Sequence, residues 1–191
     1  MQIATWNVNS IKVRVGQVVD WLNATGTEAL LMQETKTVDE AFPHEAFEAA
    51  GYRVYTCGQK TYNGVALAVK TSAVTAVEDV VMNIPGYPDP QKRLIAATLS
   101  LAGGRRLRVA GAYFPNGQEV GCDKYLYKLE WMAALTLWLR RELGREANFV
   151  LGGDFNIAPS DADLWNPEEW KGKILVSAPE RGAWKGLLET G

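Results

Sequence analysis

Arg93-Leu-Ile-Ala-Ala-Thr-Leu-Ser-Leu-Ala-Gly-Gly-Arg-Arg-Leu-Arg-Val-Ala-Gly-Ala-Tyr-Phe114 is the stretch that decides the architecture. Two runs of strand-forming residues flank Gly103-Gly104, a pair suited to a two-residue hairpin turn. Residues 53–57, 64–70 and 74–82 are further strand-like runs ahead of this hairpin. Upstream of them the pattern changes. Residues 1–9 alternate as a strand does, and Val15, Val18, Val19 and Leu22 then recur at helical spacing until Thr25 and Gly26 break it. Residues 29–33 form a short apolar run ending at Glu34, which predicts a buried strand delivering a carboxylate at its C-terminal end. Residues 44–50, closed by Gly51, predict a short second helix.

Beyond the hairpin, Asp123 is the expected cap of a helix over 124–143, whose Leu126, Leu129, Met132, Ala133 and Leu137 form one apolar face before Gly144. Residues 148–151 predict a second short buried strand, running into Gly152-Gly-Asp-Phe-Asn156 and a polar loop containing tryptophans. Ser177-Ala-Pro-Glu180 is a capping box with proline inside it. It opens a helix on which Trp184, Leu187 and Leu188 are expected to share a face. Helices mixed with antiparallel hairpins predict an α/β fold, a two-sheet sandwich flanked by helices, rather than a doubly wound parallel sheet. At 191 residues, without a linker or internal repeat, the chain reads as a single domain over 1–191.

Composition narrows the chemistry. A net charge of -2 gives no overall pull toward a polyanion, so any nucleic-acid contact must come from a local basic face. Cys57, Cys122 and the sole histidine, His44, cannot make a four-ligand zinc site, and His44 is expected to be exposed and non-catalytic. Neither G-x-G-x-x-G nor G-x-x-x-x-G-K-[ST] occurs, which removes the usual support for nucleotide-cofactor folds. No apolar run is long enough to span a bilayer, and the N-terminus lacks the basic and apolar regions of a signal peptide. A cytoplasmic protein without membrane contact is the expectation.

The polar residues of interest stand where strands run out: Asn7 and Asn9, Glu34, then Asp154 and Asn156. Carboxylate and amide oxygens are hard ligands that suit Mg²⁺ or Mn²⁺. The same residue types also serve as turn formers and caps. Tyr113 and Asn116 end another strand, with Pro115 and Gly117 shaping the turn, and Tyr113 could equally be an amphipathic sheet-edge residue. Lys36, Lys60, Lys92 and Arg93 lie in nearby loops and suit phosphate contact as well as they suit solvated surface charge.

Trp6-Asn-Val-Asn9, Leu31-Met-Gln-Glu-Thr-Lys36, Tyr62-Asn-Gly-Val-Ala-Leu67, Gly111-Ala-Tyr-Phe-Pro-Asn-Gly117 and Gly153-Asp-Phe-Asn-Ile-Ala-Pro159 occur in this order along nearly the whole chain. Taken together, the series resembles the exonuclease III family of apurinic/apyrimidinic endonucleases. Gln-Glu and Gly-Asp-x-Asn recur across the wider endonuclease/exonuclease/phosphatase superfamily, whereas Gln-Glu-Thr-Lys with Tyr-Phe-Pro-x-Gly is much more specific to its DNA-repair branch.

The resemblance implies a deoxyribonuclease I-like sandwich and Mg²⁺-dependent cleavage of duplex DNA 5′ to abasic sites, with 3′ to 5′ exonuclease or 3′-repair activity. By the same resemblance Glu34 is the principal metal ligand, with Asn7 orienting it and Asp154 and Asn156 in or near the metal set. Tyr113, Asp154 and Asn156 are implied to be catalytic, and Lys60, Tyr62, Asn63, Arg93 and Asn116 to contact DNA. Family members also carry a C-terminal Ser-Asp-His that this sequence lacks. That difference predicts missing C-terminal strands, an open sheet edge and poor activity of these 191 residues alone, made good by a complementing C-terminal segment of an otherwise monomeric protein. Two other readings are a non-catalytic DNA-binding half-module and a superfamily phosphatase or lipid phosphodiesterase.

Overall fold

The computed structural model describes residues 1–145 and 148–191 and divides them into two compact units. The first unit holds eight strands and two helices: β1 (Ile3–Asn7), α1 (Ile11–Thr25), β2 (Ala29–Gln33), α2 (His44–Ala49), β3 (Tyr52–Cys57), β4 (Val65–Lys70), β5 (Val74–Met82), β6 (Leu94–Leu101), β7 (Arg106–Tyr113) and β8 (Phe149–Asp154). The second unit holds three α-helices among the described residues, α3 (Asp123–Leu143), α4 (Pro167–Trp170) and α5 (Ala178–Leu188).

In the first unit the strands form two four-stranded sheets, ordered β1-β2-β4-β3 and β5-β6-β7-β8. Each sheet is antiparallel except for one parallel pair, β1 with β2 and β7 with β8. Alternation along β2 and β4 explains the layering. Leu30, Met32, Ala66 and Ala68 face Val18 and Leu22 of α1 and Phe47 of α2. The intervening Ala29, Leu31, Val65, Leu67 and Val69 join Ile95, Ala97, Leu99 and Val109 of the second sheet in a separate apolar cluster. Leu31 is central to how closely the sheets approach. A Cβ at Gly111 or Gly152 would stand only 3.0 or 2.9 Å from its methyl carbons, so these two glycines leave β2 room against β7 and β8.

Several local expectations are corrected. The β6–β7 hairpin closes through Leu101 N–H on the Arg105 carbonyl, so three residues, Ala102 to Gly104, make the turn, with Gly103 and Gly104 both at positive φ. Strand β8 continues through Gly152 and Gly153 to Asp154, since Gly111 and Ala112 supply partners in register. His44 opens α2 half-buried, its ring 5.0 Å from that of Phe42, rather than exposed.

In the second unit Cys122, not Asp123, holds the capping position of α3. The buried stripe of α3 runs through Tyr125, Lys128, Trp131, Met132, Leu135, Trp138 and Leu139, while Leu126 and Leu137 are 51% and 55% exposed. Aromatic rings remove the largest apolar areas from water, so they rather than the leucines set the helix's rotation. Phe114, Trp131, Phe155 and Trp184 pack edge-on or tilted, with Phe114 5.0 Å from Trp131 and Phe155 4.9 Å from Trp184. The capping box of α5 forms as expected: the Ser177 hydroxyl accepts from Glu180 N–H, and the Glu180 carboxylate accepts from Ser177 N–H. Leu187 is buried, but Leu188 is exposed and does not share its face.

Candidate active site

The two parallel pairs of the first unit end at equivalent places. Asn7 is opposite Gln33 at the last register position of β1 and β2, and Tyr113 is opposite Asp154 at the last position of β7 and β8. Carboxyl ends of parallel strands are where α/β folds gather ligands, because the chain leaves the sheet there and frees side chains for chemistry. Here Asn7, Tyr113 and Asp154 meet Glu34, the residue that follows β2.

Glu34 is the hub. Its Oε1 accepts from Asn7 Nδ2 at 2.8 Å and from the Tyr113 hydroxyl at 2.9 Å, and its Oε2 lies 2.9 Å from Lys36 Nζ. Asn7 Nδ2 also donates to Asp154 Oδ2 at 2.8 Å, so one amide ties the two carboxylates together, while its own Oδ1 accepts from Asn9 N–H. Lys36 Nζ donates to Asn9 Oδ1 as well. Burial pushes the Glu34 carboxyl up, but the hydrogen bonds from Asn7, Lys36 and Tyr113 outweigh it and hold the group below its ordinary value. For Tyr113 the net shift is upward: desolvation, reinforced by the neighbouring Glu34 charge, raises its phenol, which stays protonated at neutral pH as a hydrogen-bond donor.

The main chain here is held in unusual conformations. Asn9, Glu34, Lys36 and Asn63 all have φ between 41° and 55°, a left-handed region that side-chain-bearing residues adopt at a cost. The loop 62–64 braces the turn that follows β2. Lys36 N–H donates to the Asn63 carbonyl and Thr35 N–H to the Gly64 carbonyl. Asn63 is itself buried and donates from Nδ2 to Gln59 and Gln91, whereas Lys60 is exposed and Tyr62 is 68% exposed.

Arg93 is buried. Its guanidinium lies 4.9 Å from the centre of the Tyr113 ring, donates from Nη1 to the Tyr113 carbonyl and from Nε and Nη2 to Gln91 Oε1. Gln91, which composition and motif had not singled out, therefore fixes the cation behind the tyrosine. Its signal in the sequence is only that it stands two residues before Arg93.

Asn116 and Asn156 belong to the second unit and meet each other there, Asn116 Nδ2 donating to Asn156 Oδ1 at 3.2 Å. Asn156 Nδ2 donates to the Phe114 carbonyl. The candidate residues thus fall into two groups, Asn7, Glu34, Tyr113, Asp154 and Arg93 in one and Asn116 with Asn156 in the other, with Lys60, Tyr62 and Asn63 on the loop that braces the first. Among the described residues no three His, Cys, Asp or Glu side chains converge as a metal cluster, so amide oxygens would have to complete any ligand set built on Glu34 and Asp154.

A profile of the endonuclease/exonuclease/phosphatase family matches residues 4–188. Exodeoxyribonuclease III of Haemophilus influenzae is 33% identical over 194 residues, covering 96% of this chain and 70% of that protein. A Neisseria 3′ phosphatase solved with a product DNA hairpin superposes with a TM-score of 0.92 at 42% identity, covering all of this chain and 71% of the other. An AP endonuclease from Archaeoglobus fulgidus superposes with a TM-score of 0.89 at 35% identity, with the same coverage.

Proposed function

Because the chain belongs to the exonuclease III family of endonuclease/exonuclease/phosphatase proteins, we propose that it is a DNA-repair phosphodiesterase that uses Mg²⁺, with Mn²⁺ as a substitute. Its substrates are duplex DNA with abasic sites, incised on the 5′ side, and DNA with damaged 3′ ends, trimmed 3′ to 5′. The observation that carries the reading is the single network joining Glu34, Asn7, Asp154 and Tyr113 at the ends of the two parallel strand pairs. The family profile runs through both units, which supports treating residues 1–191 as one domain. Two free thiols, Cys57 and Cys122, support a cytoplasmic location, and among the described residues no helix is long and apolar enough to cross a membrane.

The donor set fits a hard divalent cation. Glu34 and Asp154 would hold it through carboxylate oxygens, with the Asn7 amide beside both. When bound, such an ion neutralises charge that grows on phosphate oxygens. The chain's own residues do the rest. Glu34, kept ionised by three donors, anchors the network, and Asn7 sets the spacing of the two carboxylates. Asp154 Oδ2, already accepting one hydrogen bond, takes a proton from the attacking water. When DNA binds, the Tyr113 hydroxyl turns its one proton from Glu34 to a phosphate oxygen, and Arg93 steadies its ring from behind. Asn156 and Asn116 present further amide donors to the phosphodiester, while Lys60, Tyr62 and Asn63 meet the DNA backbone alongside.

The test is incision of end-labelled duplexes carrying an abasic site, a 3′-phosphate or no lesion, with Mg²⁺ and with a chelator. Lesion-dependent, chelator-sensitive cleavage is expected, and Asp154→Asn should retain binding while losing turnover. Retention of DNA without cleavage would replace the enzyme by a binding module. Hydrolysis of phosphoinositide or sphingomyelin with intact DNA would move the chain to the phosphatase and lipid branch.

A further inference from the structure

Lys128 is an unusual residue to find on the buried stripe of α3, for its side chain and that of Glu180 are both fully buried. Its Nζ donates to three oxygens: Glu180 Oε1 at 2.5 Å, the Asn156 carbonyl at 2.6 Å and the Asn116 carbonyl at 3.3 Å. An ammonium has three donors, and this geometry directs one to each. Glu180 is held in turn. Leu175 N–H donates to its Oε1, Ser177 N–H and the Ser177 hydroxyl donate to its Oε2, and the Tyr125 hydroxyl lies 2.7 Å from that of Ser177.

A buried ion pair contributes little net stability, because removing two charges from water costs about as much as their attraction returns. The return on this one lies in direction. The two carbonyls it grips belong to the two asparagines whose side chains meet at 3.2 Å. Asn156 is at φ 46°, a conformation that persists only when surrounding contacts over-determine it, and the ammonium on its carbonyl is one such contact. Gly117, directly after Asn116, is at φ 95°, and a Cβ there would stand 3.2 Å from Lys128 Cδ, so the turn is shaped around the lysine stem.

We infer that Lys128, fixed by Glu180, is a positioning residue for phosphodiester cleavage: it locks the main chain at Asn116 and Asn156 so that their amides are set before DNA arrives. This inference rests on the proposed function. Its test is a kinetic cycle in the full chain with Lys128→Met combined with Glu180→Met, which removes both charges together, and Asn156→Ala. Misplacement of a catalytic group by about 1 Å can cost 10²-fold, so the paired change should lower kcat on abasic duplex by about 10²-fold with KM nearly unchanged. In the Asn156→Ala background the same change should lose most of its effect, because Asn156 is one of the two amides that it sets. A full further loss in that background would overturn the inference.

A readout independent of activity separates the two readings. In amide spectra the side-chain NH₂ signals of Asn116 and Asn156 should move on the paired change, and that of Asn7 should not. Unmoved Asn116 and Asn156 signals overturn the inference whatever the activity. Moved signals in a protein that leaves abasic DNA uncut overturn its catalytic part along with the proposed function. If the methionine pair fails to fold, Lys128→Gln with Glu180→Gln leaves two donors for the three oxygens and should give a partial loss of kcat, and an equal loss in the Asn156→Ala background would overturn the inference.

Discussion

Two lysine–glutamate pairs, each attended by two asparagines, behave differently in this molecule. Lys36 and Glu34 are 2.9 Å apart with side chains 27% and 21% exposed, whereas Lys128 and Glu180 are 2.5 Å apart and wholly buried. In the first pair the carboxylate is the hub, collecting Asn7, Tyr113 and Lys36. In the second the ammonium is the hub, holding the Asn116 and Asn156 carbonyls together with Glu180. Partly open to water, the first pair can exchange a partner for an incoming cation or phosphate at small cost. Sealed from water, the second cannot, and acts as part of the frame. Residue type alone does not separate the two pairs; burial does.

The largest effect expected from breaking the first pair is on catalysis. Glu34→Gln should lower Mg²⁺-supported incision by about 10³-fold with the fold intact, and should weaken Mg²⁺ binding in calorimetry. Unchanged turnover would remove Glu34 from the centre of the site. Stability should reverse the ranking. In urea melts Lys128→Met, which strands a buried carboxylate, should cost about 3–5 kcal/mol. Lys36→Met, at a partly exposed pair, should cost less than about 1 kcal/mol. Equal costs would abolish the contrast.

Acid and alkali sharpen it further. The Glu34 carboxyl is held below its ordinary 4.5, so its contribution to stability is complete above that pH and lost as pH falls through the lower folded value. The Tyr113 phenol is raised above 10.0, so its contribution is complete below that pH and lost as pH rises beyond it. Tyr113→Phe removes a donor from Glu34, and should raise the onset of acid unfolding while abolishing the tyrosine's share of the alkaline limb. Identical pH–stability profiles would mean that the hydroxyl does not hold the carboxylate. The smallest effect is expected on the loop beside the first pair, where Lys60→Ala should leave stability unchanged and reduce the salt slope of DNA binding by about 1. An unchanged slope would take Lys60 off the DNA face.

Much of the scaffold is legible along the chain. Short apolar runs mark β2 and β4, Gly103-Gly104 marks the β6–β7 hairpin, and Ser177 with Glu180 marks the start of α5, because each depends on residues within a few positions of one another. The strand ends that carry Asn7, Glu34, Tyr113 and Asp154 are legible for the same reason. The motif series Gln-Glu-Thr-Lys and Tyr-Phe-Pro-x-Gly carries the family likeness. Other features are not local. Asn7 and Asp154 are 147 positions apart, and only the register of two sheets brings them to one hydrogen bond. Arg93 reads as a loop cation until Tyr113 and Gln91 are seen to enclose it. The leucines of α3 point to one face, but the rings of Trp131 and Trp138 outweigh them once packed, and Leu126 and Leu137 are left exposed. Lys128 breaks an otherwise apolar stripe in plain view, but its partner Glu180 is 52 positions away. Short-range pattern thus determined most of the elements, while pairing across the sheet decided where β8 ends. Which polar groups meet, and in how dry a setting, was decided by tertiary packing, since both the strength and the role of a charge depend on the dielectric around it and on partners that the chain's local order does not specify.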